Sequence, residues 1–402
     1  MLNINQFITD HITLRSQSMF AEDVEANRAA LQREIEGRSV LVIGGAGTIG
    51  SSYIRAVLKF HPSKLYVVDI NENGLTELTR DLRSTAGGYV PQEYLTYPIN
   101  FADPLFEKMF RAQGGFDIVA NFSAHKHVRS EKDCYSVEAL LENNVVRARR
   151  LLELLLEFPP RHFFCVSTDK AANPVNIMGG SKKIMEEMIM TYSSRYPITT
   201  ARFANVAFSN GSLLDGFLQR MLKRQPLSAP CDVRRYFVSP NESGEICMLA
   251  CMLGRSGEIY FPKLQPAQML TFAQIGTAFL ASMGYQAIEC ASEEQARQLA
   301  AARAETSREY PVYYFTSETT GEKEYEEFFT EGEQVSLNEF RALGVVKNAV
   351  KRPLAEIDTL FSDLNDLFHA SQTTKADIVR VMKAFLVNFD HVEKGKNLDS
   401  KM

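Results

Sequence analysis

Cysteine is scarce and never closely paired in this chain. Its six cysteines, at 134, 165, 231, 247, 251 and 290, show no C-x-x-C spacing, which removes the thiol pattern of a zinc ribbon or a redox pair. Cys247 and Cys251 share one face of an apolar helical run, where small buried thiols are expected. Positive charge is not in excess. The net charge is −5 and the pI about 5.9; no basic stripe marks nucleic acid as a partner, and an anionic ligand must be held by local donors rather than by a global field. No apolar run reaches the ~18–20 residues of a membrane span. The first residues, Met1-Leu-Asn-Ile-Asn-Gln-Phe7, lack the basic region and apolar core of a secretory signal. Internal repeats and low-complexity segments are also missing. A soluble globular chain of 402 residues, 45% apolar, remains, long enough for a large domain with a second lobe, and a reducing cytoplasm is its expected location.

The rest of the chain is organised around Val40-Leu-Val-Ile-Gly-Gly-Ala-Gly-Thr-Ile-Gly-Ser51. Four apolar, mostly β-branched residues run into glycines, and a helical pattern follows to about Phe60. This reads as a buried strand, a tight turn and the start of a helix. Gly44 allows the turn, Gly47 allows close approach of a pyrophosphate, and Gly50 allows the helix to pack on its strand, with Thr48 and Ile49 between them. The helix start favours phosphate. The next strand, Leu65-Tyr-Val-Val-Asp69, ends in an acid 19 residues beyond Gly50, near the spacing of a ribose-binding carboxylate. No Arg or Lys follows in Ile70-Asn-Glu-Asn73, so NAD is expected rather than NADP. Asn71 beside Asp69, and Asn100, Phe101, Ser123 and Ala124 at later strand ends, complete the expected cofactor set.

Strands and helices alternate regularly from Val40. Strands are expected at 65–69, 94–99, 116–122, 161–168 and 198–206, with helices over 74–83, 136–158 and 181–196. Nearly continuous apolar strands of this kind imply a Rossmann-like, doubly wound parallel sheet in an α/β fold. Its ligands sit outside the carboxyl ends of the strands. The expected division is a helical N-terminal extension (1–38), an NAD-binding domain (39–210), a smaller α/β region serving mainly as substrate-binding lobe (211–350) and a C-terminal helical extension (351–402).

Ser167, Thr168, Asp169 and Lys170 fall at the carboxyl edge of the fifth strand. An acid beside a base and a hydroxyl is a proton-handling set. Met178 and Lys182, four residues apart, share a helical face. The acidic run 322–333 reads as a solvated turn, not a metal site, since no His or Cys accompanies it.

Five motifs occur in order: Gly44-x-x-Gly-x-x-Gly50, Ser167-Thr-Asp-Lys-Ala-Ala-Asn-Pro174, Met178-x-x-x-Lys182, Arg202-Phe-Ala-Asn-Val206 and Gly321-Glu-Lys323. Ser123-Ala-His-Lys-His-Val128 and Asn143-Asn-Val145 join them. Together they resemble the nucleotide-sugar 4,6-dehydratases of the polysaccharide-biosynthesis branch, within the extended short-chain dehydrogenases, over residues from about 20 to 330. The resemblance implies internal redox and water loss on a sugar such as UDP-N-acetylglucosamine, giving a 4-keto-6-deoxy product. By it, Thr168 bonds the C4 oxygen, Asp169 protonates the departing C6 hydroxyl, Lys170 takes the C5 proton, and Lys182 holds the nicotinamide ribose. Most short-chain dehydrogenases carry Tyr where this chain has Met178. A thioether has no proton to exchange, so Asp169, directly or through Thr168, is the expected base for the C4 hydroxyl. Substrate contacts are expected from His125, Lys126, Asn205, Ser212, Arg235 and Glu322; relatives commonly have Arg-Pro where Thr319-Thr320 stand, which leaves Arg235 as the first candidate for the phosphate contact and Arg234 as the second. A homo-oligomer paired through the helices at 136–158 and 181–196 is implied too. UDP and GDP substrates remain open, as do an epimerase or dehydrogenase on the same fold and a non-catalytic NAD-binding sensor.

Overall fold

The computed structural model describes residues 3–317 and 323–391. Its largest element is a nine-stranded sheet. Six strands alternate with helices: β1 (Ser39–Ile43), β2 (Lys64–Val68), β3 (Glu93–Tyr97), β4 (Ile118–Asn121), β5 (His162–Val166) and β6 (Ile198–Ala201). They lie in the order β3-β2-β1-β4-β5-β6, continued by Glu258–Pro262, Leu343–Val346 and Val335–Ser336. Pairing is parallel from β3 to Glu258–Pro262, and the last two strands run antiparallel. β1 has β2 on one side and β4 on the other, so the strand order reverses there and a crevice opens beyond their carboxyl ends. The central strands are buried because helices cover both faces, with Val40, Leu41 and Val42 showing no exposure, while the edge strand β3 leaves Leu95 exposed. Among the described residues no helix is long and apolar enough to cross a membrane.

The range 211–350 does not form a lobe by itself. Helix Pro240–Leu253 packs on helix Thr48–Leu58 so closely that a Cβ at Gly244 would lie 2.3 Å from the Ser52 carbonyl oxygen, and three of the large sheet's strands come from this range. The smaller lobe has its own apolar core, including Leu214, Phe217, Ile275, Phe279, Tyr310 and Val312. It also has a three-stranded parallel sheet, Gln286–Glu289, Glu309–Phe315 and Leu227–Pro230.

The N-terminal extension ties the two cores together. Phe7, Ile8 and Ile12 enter the smaller core; Phe20, Leu31 and Ile35 enter the larger. Between them Arg15 makes a bidentate pair with Glu242, both bonds 2.9 Å. Asp23 accepts from the Arg341 and Ala342 amides at 2.6 and 2.7 Å.

Three boundaries differ from the sequence expectation. The sixth strand stops at Ala201, and Asn205–Val206 pairs instead with Phe237–Val238, turning the chain over the sheet edge. The helix expected from Ser181 starts at Ile177, because Asn176 caps it through Gly179 N (2.7 Å) and Glu131 Oε1 accepts from Met178 N (2.8 Å). These acceptors compensate for the weak propensity of Gly179-Gly180. The helix expected over 136–158 contains a π-turn at Glu142–Val146.

Helix Ile177–Thr191 is also unavailable for the pairing implied by resemblance. A C-terminal hairpin, Leu354–His369 and Lys375–Phe385, covers it. Met382 and Phe389 press on Gly180, and Arg352 bonds Glu187 at 2.7 Å and the Phe385 carbonyl at 2.8 Å. Every residue of this helix except Lys183 and Thr191 is buried within the single chain.

Candidate active site

The glycine loop is shaped by close approach. Gly44 has φ +74°, and a Cβ there would stand 2.6 Å from Ser123 N; one at Gly50 would stand 2.3 Å from the Gly44 carbonyl oxygen. Gly45, which sequence reasoning did not assign, would strike Val67 at 2.3 Å. Gly47 differs. Its Cβ would meet nothing nearer than 3.4 Å, so its missing side chain leaves open space at the start of helix Thr48–Leu58, where no side chain caps the first amides. A cradle that one methyl would fill, at a helix N-terminus, suits a diphosphate.

Asp69 follows β2 and accepts from Ala46 N at 3.0 Å and Asn71 N at 2.9 Å, which fixes its carboxylate beside the loop. It does not cap the next helix: Asn71 does, through Gly74 N at 2.9 Å, so the Asn71 carbonyl is occupied structurally. Asn100 Oδ1 accepts from Ala102 N at 3.0 Å and Phe101 is buried. Thr48 Oγ1 accepts from Asn210 N at 2.9 Å, joining the loop to the smaller lobe's side of the crevice.

A cavity of about 300 Å³ lies beyond the carboxyl edge of β4, β5 and β6, lined by Ile49, Ala124, Lys126, Thr168, Asp169, Lys170, Met178, Lys182, Asn205 and Ser212. Residues from six separate sequence segments thus meet at one place. Asp169, buried, is the centre of the set. Its Oδ1 accepts from Thr168 Oγ1 at 2.8 Å, Lys170 N at 2.9 Å and Lys170 Nζ at 3.0 Å. Lys182 is buried and donates from Nζ to the Val166 carbonyl at 2.6 Å. Burial holds its pKa below the ordinary lysine value, against the pull of Cys165 and Glu186.

Behind this wall lies a buried ionic frame. Arg202, fully enclosed, binds Glu186 (Nε to Oε2, 2.9 Å) and Glu333 (2.8 and 2.7 Å), and Ser167 Oγ donates to the same Glu186 oxygen at 2.9 Å. Burial works to raise the Glu186 pKa, but the Arg202 and Lys183 charges and the hydrogen bonds overcome it and bring it down to about 2. The Arg202 side of the Arg-Phe-Ala-Asn-Val motif is therefore a brace, holding helix Ile177–Thr191 and the 328–333 loop against β5.

On the substrate side, the π-turn directs Asn144 to His125: it accepts from His125 N (2.8 Å), donates to His125 O (2.9 Å) and donates to Ser181 Oγ (3.0 Å). His125 is thus fixed by its backbone. Lys126 Nζ donates to Asn210 O at 2.9 Å, and Ser212 caps helix Leu213–Leu222 through Asp215 N. Arg235 departs from expectation. It is buried, donates to the carbonyls of Arg234, Lys323 and Glu324 at 2.9–3.1 Å, and lies 3.8 Å from Glu326; those carbonyls compete for the guanidinium, so it braces a loop rather than facing a phosphate. Gly321 and Glu322 lie outside the described residues.

A second compartment of about 680 Å³ shares Lys126 and Ser212 with the first and is lined by Gly216, Arg220, Ser228, Phe272, Arg297 and Phe315. Arg220 Nε and Ser228 Oγ are buried there without a hydrogen-bond partner among the described residues. Sequence reasoning missed both arginines. Only the i, i+4, i+8 spacing of Ser212, Gly216 and Arg220 on one helix face could have pointed to one of them.

The sequence matches the family model described as "Polysaccharide biosynthesis protein" over residues 40–348. It is 30% identical over 245 residues to the protein named uncharacterized membrane protein MJ1061 of Methanocaldococcus jannaschii, covering 59% of this chain and 70% of that one. To the capsular polysaccharide biosynthesis protein CapD of Staphylococcus aureus it is 29% identical, and the match spans 60% of this chain but 40% of CapD. A Campylobacter jejuni protein named UDP-N-acetylglucosamine 4,6-dehydratase (inverting) is 24% identical over 58% of this chain and 69% of its own length. Among solved structures, Pen from Bacillus thuringiensis superposes with a TM-score of 0.62 at 19% identity, over 78% of this chain and 87% of that one, a likeness of fold.

Proposed function

The chain belongs to the polysaccharide biosynthesis protein family, and from that premise we propose that it is an NAD-dependent 4,6-dehydratase of a nucleotide-linked N-acetylhexosamine, UDP-N-acetylglucosamine first among candidates. The observation that carries the reading is the shared cavity in which Thr168, Asp169, Lys170, Met178 and Lys182 face Ile49 of the glycine loop. The name of the Campylobacter relative supports it.

NAD fits the cradle at Gly44, Gly47 and Gly50 with Asp69 on its ribose; when bound, it supplies the acceptor for hydrogen from C4 of the sugar and gives it back at C6. The chain's own residues handle protons. Asp169, linked to Thr168 by a 2.8 Å hydrogen bond, draws the C4 hydroxyl proton through that hydroxyl. The resulting ketone acidifies C5–H, which Lys170 removes. Asp169 then gives its proton to the C6 hydroxyl, which leaves as water, and Lys170 returns its proton to C5, so both groups end as they began. Met178 leaves the proton path to Asp169. The second compartment, with Arg220, Arg297 and Lys126 around unpartnered polar atoms, suits the nucleoside diphosphate.

The test is to incubate the purified protein with UDP-N-acetylglucosamine and no added cofactor, and to weigh the product. A loss of one water supports the reading. An epimer of unchanged mass would assign the chain to the epimerases of this fold, and inertness toward UDP- and GDP-linked sugars alike would mark a binding protein.

A further inference from the structure

The first turn of helix Ile177–Thr191 is a thin spacer. Gly179 and Gly180 stand together in it, each costing a helix about 1 kcal/mol against Ala, and each has a neighbour where a side chain would be. A Cβ at Gly179 would lie 2.6 Å from the Lys170 carbonyl oxygen; one at Gly180 would lie 2.6 Å from the Met382 methyl and 3.1 Å from the Phe389 ring. The turn thus has the Lys170 backbone against one face and the C-terminal hairpin against another, with only main chain between them. Met178 and Lys182, which line the cavity, are carried by this same helix start. Met178 has no hydroxyl with which to anchor the turn, so backbone contacts set its place.

The polar contacts converge on the same turn. Glu131, 6% exposed, accepts from Met178 N through Oε1 at 2.8 Å, and its carbonyl accepts from Lys375 Nζ at 2.7 Å. A carboxylate suits a helix start. Lys375 does not suit its own: it is the first residue of helix Lys375–Phe385, where an ammonium opposes the helix dipole, and what it does from there is reach Glu131. His391 Nδ1 donates to the Val175 carbonyl at 3.2 Å, holding the chain just before the helix. From Met178 the contacts run on: Ser181 Oγ donates to the Met178 carbonyl at 2.7 Å, and Asn144 donates to Ser181 Oγ at 3.0 Å and to the His125 carbonyl at 2.9 Å. Hairpin, helix start and the His125 loop form one connected frame. The hairpin lies past residue 348, where the family match ends.

We propose that the C-terminal hairpin is a working part of the active site, with Lys375 and Glu131 as positioning residues. They keep the turn Ile177–Gly180 seated on the Lys170 backbone, so that Lys170, and Lys182 one turn further on, hold the spacing that removal of the C5 proton needs. The role in turnover rests on the dehydratase reading; the seating of the turn does not.

The experiment compares the full-length protein with its Lys375→Met, Lys375→Arg, Glu131→Ala and Glu131→Gln variants. Amide hydrogen exchange is read by mass spectrometry on peptides covering 167–182, and kcat and KM are measured for water loss. In Lys375→Met and Glu131→Ala the amides from Met178 to Lys182 should exchange faster while those of β1 keep their rate. Their kcat should fall by roughly ten- to a hundredfold, as for a misplaced catalytic group, with KM for the nucleotide sugar within about twofold, because the second compartment is built from other elements. Lys375→Arg keeps the donor and Glu131→Gln keeps the acceptor, so each should recover most of the rate. The double variant Lys375→Met/Glu131→Ala should be no slower than Glu131→Ala, since both act along one chain of contacts. Unchanged exchange over 178–182 in Lys375→Met, a kcat that holds despite faster exchange, losses that multiply in the double variant, or no recovery in the conservative variants overturns the proposal. Faster exchange in a protein inert to every nucleotide sugar would uphold the seating of the turn by the hairpin and overturn the dehydratase reading alone.

Discussion

Gly47 and Gly50 stand three residues apart and answer to different constraints. An added methyl at Gly50 collides with backbone at 2.3 Å, whereas at Gly47 it meets only open space. Gly50→Ala should therefore lower the melting temperature, consistent with an overpacking cost of roughly 1–3 kcal/mol. Gly47→Ala should melt within a few degrees of wild type yet lose NAD affinity by calorimetric titration of the stripped protein; unchanged affinity would move the diphosphate elsewhere. At the sheet edge, Lys170→Ala should reduce water loss by roughly 10²–10⁴-fold, the usual contribution of a positioned base, and leave NAD binding intact. Full activity would remove Lys170 from the chemistry. The glycines, Asp69 and the Thr168-Asp169-Lys170 set were legible in the sequence because each is set by local spacing at a strand end. Arg235 was misread for an equally physical reason: a sequence shows a cation but not the carbonyls of Lys323 and Glu324 that enclose it. Arg220 and Arg297 are brought to the second compartment by tertiary folding, and beyond the helical spacing of Ser212, Gly216 and Arg220 they carry no local signature.

Helix Ile177–Thr191 and β6 hold their places through the Glu186–Arg202–Glu333 frame. Despite burial, the Arg202 and Lys183 charges bring the folded Glu186 carboxyl down to about 2, below the ordinary glutamate range. A depressed carboxyl contributes stability that is complete above the unfolded value and is lost as pH falls toward the folded one. Thermal melts recorded from pH 5 down to pH 2 should therefore steepen in that window, and Glu186→Gln should flatten part of the slope; an unaltered slope would place the acid sensitivity in another group. Arg202→Met, which takes the guanidinium from the buried Glu186 and the part-buried Glu333, should cost about 3–5 kcal/mol in denaturant unfolding. The alternation of elements was legible from continuous apolar runs at regular spacing. The break of β6 at Ala201 was not, because Phe203, Ala204 and Val206 carry the apolar pattern on past Arg202, and the departure of Asn205–Val206 to pair with Phe237–Val238 is decided by a strand distant in sequence. The π-turn at Glu142–Val146 has no propensity signature either, though it is what brings Asn144 to His125.

At the scale of the molecule, the C-terminal hairpin occupies the face that resemblance assigned to a second subunit. Arg352 secures it by three polar contacts, to Glu187, Glu356 and the Phe385 carbonyl, and by lying 4.5 Å over the Phe385 ring. Arg352→Glu places like charges against Glu187 and Glu356. It should loosen the hairpin, expose the helix beneath and give concentration-dependent self-association in light scattering together with faster cleavage near Ser371. A monodisperse, equally resistant variant would show that the hairpin is held by its apolar contacts alone.

The N-terminal extension has a mechanical consequence of its own. Its first residues are rooted in one core and its later ones in the other, and the exposed Leu14, at φ +54°, sits on the span between. It works as a splint between the two cores, limiting how far one can move from the other. Severing that span at Leu14 would leave each core with its own anchor and free the two to move against each other.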